Sequence, residues 1–215
     1  MKKKIFTVLA IIFIAIVGLV VVLIFTSNLD KLPDGGNGDN GDNGGYEDTL
    51  PLGSDPVLEF PYNTSEFIFH ISGFNPSHQG FDLNVNHSVG LLAMHDAYVT
   101  NVMTFWNGIG GHYNTNLMFR LNDDWWYEYK LEPWTDNLTW AMYQENNLTI
   151  SIGDKVLANQ SIGPLLYLDP QCHIDYTLYY QDAPVCQYPY FSVTAKAIFD
   201  PVWARYGNYP GSPCQ

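Results

Sequence analysis

His173-Ile174-Asp175-Tyr176-Thr177-Leu178-Tyr179-Tyr180 alternates polar and apolar side chains. In a β-strand successive side chains point to opposite faces, so His173, Asp175 and Thr177 share one face and Ile174, Tyr176 and Leu178 the other. A strand that is apolar on one side and carries an imidazole and a carboxylate on the other implies a core beneath and chemistry above. Working outward, further strand-like stretches run from Glu66 to Ile71, Gly90 to Met94, Tyr98 to Phe105, Asn114 to Leu121, Trp125 to Leu131 and Lys155 to Leu157. Gly, Asn, Asp and Pro separate them at turn-like intervals, which predicts a mainly antiparallel β domain. One helical stretch is expected, from Phe191 to Phe199, ended by Asp200-Pro201.

This β-rich composition begins at about Val57 and continues to Gln215, enough chain for one domain with its own core. Residues 26–56 contain Asp34-Gly35-Gly36-Asn37-Gly38-Asp39-Asn40-Gly41-Asp42-Asn43-Gly44-Gly45, which has almost no apolar surface to bury and reads as a tether. Before it, Ile5 to Phe25 is uncharged and apolar, long enough for one transmembrane helix. Lys2, Lys3 and Lys4 hold the first four residues on the cytoplasmic side. The expected localisation is a single-pass cell-membrane protein whose C-terminal domain is extracytoplasmic.

All 22 acidic residues follow the apolar run. Only six basic ones do (Lys31, Arg120, Lys130, Lys155, Lys196 and Arg205), so the part beyond it carries a formal charge of −16. Such a surface argues against nucleic acid as a partner. Cys172, Cys186 and Cys214 lie outside the apolar run, and one disulfide with one spare thiol is expected, as Cys186–Cys214 or Cys172–Cys186. Asn-x-Ser/Thr triplets start at Asn63, Asn86, Asn137, Asn147 and Asn159, acceptors for glycans if the host attaches them.

His78-Gln79-Gly80-Phe81-Asp82 sets an imidazole and a carboxylate four residues apart around a glycine. Zinc takes such nitrogen and oxygen ligands at ~2.0–2.2 Å. Further on stands Gly153-Asp154-Lys155-Val156-Leu157-Ala158-Asn159-Gln160-Ser161-Ile162-Gly163, and then His173-Ile174-Asp175. In this order the chain resembles the lysostaphin-type, or LytM-like, zinc metallopeptidases of the duplicated-hybrid-motif fold. Their pattern is His-x-Gly-x-Asp, a Tyr-x-His-Leu element, Gly-Asp-x-Val-x-x-Gly-Gln-x-Ile-Gly and His-x-His. The resemblance covers about His78 to Tyr179 and implies an antiparallel β half-barrel sandwich.

The resemblance implies His78 and Asp82 as two zinc ligands and His173 as the histidine that acts on water or oxyanion. Asp175 stands where the third ligand is normally histidine, so it becomes the third metal candidate. Tyr129-Lys130-Leu131 is the nearest match to Tyr-x-His-Leu and puts Lys130 at the second catalytic position. A lysine with pKa ~10.4 can stabilise an oxyanion but is a poor base near neutrality. Asn159 replaces the glycine before Gln160. A zinc-peptidase homologue with a degenerate site, acting on or binding cell-envelope polymer or peptide, is therefore expected, more inactive than active. A non-catalytic envelope module binding glycan, peptide or protein is the alternative, and a surface protein without groove function a third. His112, after Gly110-Gly111, is the reserve metal ligand, and half the aromatics of Trp125 to Tyr129 should face the core.

Overall fold

The structure, a computed structural model, describes residues 45–215. In chain order its elements are β1 (Ile68–Ser72), β2 (Phe81–Val85), β3 (Val89–Leu92), β4 (Ala97–Asn107), β5 (His112–Arg120), β6 (Trp125–Thr135) and α1 (Leu138–Asn146). After these come β7 (Lys155–Val156), β8 (Ser161–Leu165), β9 (His173–Tyr180), β10 (Ala183–Val185), a 3₁₀ turn at Tyr188–Tyr190 and α2 (Val193–Tyr206). Strands β1-β2-β9-β6-β5-β4-β7 form one curled antiparallel sheet, with β10 pairing the far end of β9. A two-stranded sheet, β3–β8, completes the mainly β architecture.

Alternation decides which face of the large sheet is dry. Phe81, Leu83 and Val85 of β2, Ile174, Tyr176 and Leu178 of β9, Tyr127, Tyr129 and Leu131 of β6, and Leu117 and Phe119 of β5 are all buried in one core. At 150–250 Å² each, the aromatics supply much of the apolar area withdrawn from water. The intervening residues, Asp82, Asn84, His173, Asp175, Thr177, Glu128, Lys130, Glu132, Asn114 and Asn116, occupy the opposite face.

Strands β2, β8 and β10 lie outside the stretches read as strands, and both helices differ from the sequence reading. The expected helix from Phe191 to Phe199 starts instead at Val193, capped by the Ser192 hydroxyl accepting from Ala195 N at 2.9 Å, and runs through Pro201 to Tyr206. An interior proline costs a helix roughly 3 kcal/mol. Continuing it buries Trp203 one turn beyond Phe199 against the core, and each of these rings is worth about 3–5 kcal/mol when truncated. The second difference is α1. Its N-cap is Asn137, whose side chain accepts from Thr139 N, yet only Ala141 and Gln144 are buried, so it offers no apolar stripe to read.

The chain enters along β5. Thr49 and Leu50 donate backbone hydrogen bonds to Leu121 O, Leu50 is buried, and Arg120 pairs with Asp48 at 2.8 Å. Part of the segment read as tether thus lies against the sheet. Cys186 and Cys214 form a disulfide and Cys172 is a buried free thiol, which decides between the two expected pairings. Among the described residues no helix is long and apolar enough to cross a membrane; the run 5–25 lies outside them.

Candidate metal centre

The polar face carries the site because β2, β9 and β6 lie side by side. In β2–β9 register Asp82 faces Asp175 and Asn84 faces His173. In β6–β9 register Lys130 faces Asp175 and Glu132 faces His173. Two cross-strand rows result, one of Asp82, Asp175 and Lys130, the other of Asn84, His173 and Glu132.

His78 arrives from the turn between β1 and β2. Asn75 Oδ1 accepts from the backbone N–H groups of Ser77 and His78 at 2.9 and 3.1 Å, a side-chain turn that presents the imidazole to the row. His78 Nε2 lies 3.1 Å from Asp82 Oδ1, and Nδ1 lies 3.4 Å from Gly73 O. One potential ligand atom from each of His78, Asp82 and Asp175 falls within 4.8 Å of the others, each residue being half-buried. Gly80 makes this approach feasible: a Cβ there would stand 2.0 Å from Asp175 Oδ1 and 2.8 Å from Thr177 Oγ1.

The hydrogen bond with Asp82 pushes the His78 pKa up to about 9, against partial burial. Burial alone would raise Asp82, but the His78 hydrogen bond and the neighbouring His173 and His78 charges outweigh it and hold the carboxyl below its usual range. Lys130 Nζ sits 3.2 Å from Asp175 Oδ2 and 3.7 Å from Glu128 Oε2. Burial disfavours its charge, yet these two carboxylates raise its pKa above that of a free lysine. Burial raises Glu128.

His173 stands beside the three-residue cluster. Its Nδ1 is 2.7 Å from Gln171 O, leaving Nε2 between Asp82 Oδ1 at 3.8 Å and Glu132 Oε2 at 3.6 Å. Glu132 is braced from behind by His112 Nε2 at 2.7 Å and Asn114 Nδ2 at 3.1 Å. The Trp134 ring stacks on His112 at 3.8 Å and tilts toward His173 at 5.7 Å, on a backbone with φ +58°. His112, the reserve ligand of the sequence reading, is therefore committed to Glu132 and lies outside the cluster. Sequence reasoning missed Glu128 and Glu132, and named Trp134 only as one of several aromatics that could offer a flat face to a ligand. The period-two run Glu128-x-Lys130-x-Glu132 on a strand was the available signal.

The residues present fit a zinc ion in number and kind, one imidazole and two carboxylates leaving room for a further ligand. All three already stand in ion pairs, His78 with Asp82 and Asp175 with Lys130.

No protein-family model and no curated protein matches the chain. Similar solved structures include a zinc-containing peptidase from Vibrio cholerae, at 16% identity over 61% of this chain and 39% of that one, with TM-score 0.45. The present chain thus spans well under half of that protein. The catalytic domain of the antimicrobial peptidase lysostaphin from Staphylococcus simulans is similar at 17% identity, covering 64% of this chain and 90% of that one, with TM-score 0.37. A chain of the SpoIIQ–SpoIIIAH pore-forming complex is similar at 13% identity, covering 68% of this chain and 98% of that one, with TM-score 0.47. By the order of its motifs and the residues they bring together, the chain resembles the lysostaphin-type zinc metallopeptidases.

Proposed function

We propose that this chain is a membrane-anchored, extracytoplasmic module of the lysostaphin-like, duplicated-hybrid-motif type. It binds cell-envelope polymer or peptide on the polar face of its sheet and has lost most or all hydrolytic capacity. Residues 1–4 are cytoplasmic, 5–25 span the membrane, 26–44 tether, and the envelope-facing domain takes in residues 45–56 together with 57–215. One observation carries the reading: His78, Asp82 and Asp175 converge, while the ammonium of Lys130 is already bound to Asp175.

His78, Asp82 and Asp175 would hold zinc, which when bound supplies Lewis-acid polarisation and a more acidic water. Two carboxylate ligands soften that acidity relative to imidazoles. Lys130, kept protonated by Asp175 and Glu128, can face a developing oxyanion but takes no proton from water. His173 is left as the group able to handle protons. The acidic exterior disfavours nucleic acid.

Purified full-length chain should contain stoichiometric zinc that disappears in His78→Ala, and should cosediment with cell-wall preparations without releasing soluble fragments. Neither metal nor cosedimentation would defeat the proposal. A second reading, residual hydrolysis, is favoured by the position of His173 next to Asp82. It requires fragment release that His173→Ala abolishes.

A further inference from the structure

The aromatic run at the start of β6 divides between the two faces of the large sheet. Trp125, Tyr127 and Tyr129 are buried in the core, while Trp126, half-buried, stands on the polar face in line with Lys130. Cross-strand register puts Arg120 on one side of Trp126 and Tyr179 on the other. The Trp126 and Tyr179 rings stack flat, with centroids 3.6 Å apart and planes 5° from parallel. One face of the indole is thus covered by Tyr179, and the other turns toward β5. On that side opens a hollow of about 260 Å³ whose walls include Thr100, Met118, Arg120, Asp123, Trp126 and Asp182.

The hollow is held in shape from two directions. Asp182 accepts from Trp126 Nε1 at 3.1 Å, which fixes the tilt of the indole. Gln181 and Asp182 form the turn between β9 and β10 on backbones with φ +48° and +61°. Gln181 ties that turn to the turn between β5 and β6, its N–H donating to Asp124 O at 2.7 Å and its Nε2 to Asp124 Oδ1 at 3.0 Å. Across the hollow Arg120 is clamped by Asp48 and Asp123. An aromatic face oriented in advance gives up little conformational entropy when a ligand covers it.

The walls also choose the ligand. The free indole face offers flat apolar area. Around it stand carboxylates, which only accept hydrogen bonds, and a guanidinium, which only donates. With Asp48, Asp123 and Asp182 against Arg120 alone, the rim repels anions. A molecule that lays C–H groups on the indole and donates hydroxyls to carboxylates at its edge is a neutral sugar ring. A hollow below the usual size of ligand pockets takes one such ring and leaves the rest of a polymer outside. Trp126 lies four residues from Lys130, about 13 Å along the strand, with Glu128 between them accepting from the Tyr179 hydroxyl at 3.4 Å. The hollow and the His78–Asp82–Asp175 cluster therefore occupy one polar face without sharing a residue.

We infer that the Trp126 hollow is a saccharide subsite, which stacks one neutral sugar ring of the envelope polymer on the indole and rests on the proposed reading of the polar face as polymer-binding.

Full-length chain in a detergent without sugar headgroups should bind tetra-N-acetylchitotetraose in a calorimetric titration. Trp126→Ala should weaken that binding about tenfold or more, the expected loss of one stacked ring. Trp126→Phe, which keeps a flat ring and gives up only the bond to Asp182, should retain most of it. Thr100→Tyr, which fills the hollow and leaves the stack in place, should abolish it with the far-ultraviolet circular dichroism unchanged. An oligogalacturonate of the same length should bind more weakly, and equal affinity would overturn the choice of a neutral sugar. Chitotetraose binding that survives both Trp126→Ala and Thr100→Tyr, or that His78→Ala abolishes, would overturn the subsite by placing the sugar elsewhere. Cosedimentation with cell-wall preparations without chitotetraose binding would overturn the subsite and leave the envelope module standing. Absence of both would remove the two together.

Discussion

Lys130 and a metal ion compete for the same carboxylate. With Nζ 3.2 Å from Asp175 Oδ2, the ammonium must release Asp175 before that oxygen can ligate. Lys130→Met should therefore tighten zinc binding by about tenfold, an order-of-magnitude expectation for removing one competing ion pair, measured against a chromophoric chelator. His78 adds a proton dependence. Its pKa of about 9 means that metal binding near neutrality expels a proton, so affinity should climb with pH and level off near pH 9. The same raised pKa bears on the metal-free fold. Its stabilisation is complete below the unfolded value of about 6.5 and fades as pH rises through about 9. The thermal midpoint of chelator-treated protein should fall across that window, and His78→Gln should flatten the fall. That His78, Asp82 and Asp175 come together was foreshadowed by the motif order of the resemblance, since the His-x-Gly-x-Asp spacing alone is weak and Asp175 became a candidate only by standing where the family has a histidine. Glu132 was not, since it matters only through the strand it faces.

At the scale of elements, Gly80 is where backbone and site meet. Gly80→Ala would drive a methyl into Asp175 and Thr177, so zinc should be lost with a destabilisation of about 1–3 kcal/mol, read by metal analysis and chemical denaturation. The Cys186–Cys214 bond closes a loop of sequence separation 28 that contains α2. Its reduction should lower stability by about 3 kcal/mol, seen as a drop in thermal midpoint with dithiothreitol. Strands β4, β5, β6 and β9 could be read from composition and period, because each is long and has one dry face. Strand β2, Phe-Asp-Leu-Asn-Val, alternates as cleanly, but its start was read only as a metal-ligand motif. Helix α1 gave no signal because it buries only two residues, and α2 outran its proline because Trp203 had a core to enter.

For the whole molecule, sequence order was the strongest guide. An early His-x-Gly-x-Asp and a late His-x-Asp become neighbours only because β2 and β9 are adjacent in the sheet, which no local propensity encodes. Excess negative charge acts over the entire surface. Raising sodium chloride from about 10 to 300 mM should lift the thermal midpoint by a few degrees, as screening relieves self-repulsion, followed by calorimetry. The β2–β9 pairing has one more consequence. On the proposed extracytoplasmic topology, a chain threaded through a translocon would emerge with His78 long before Asp175, and no chelating pocket would exist until the second half had been delivered. On that topology, the medium into which the chain is released, and not the ribosome-side metal pool, would select whatever ion the site takes.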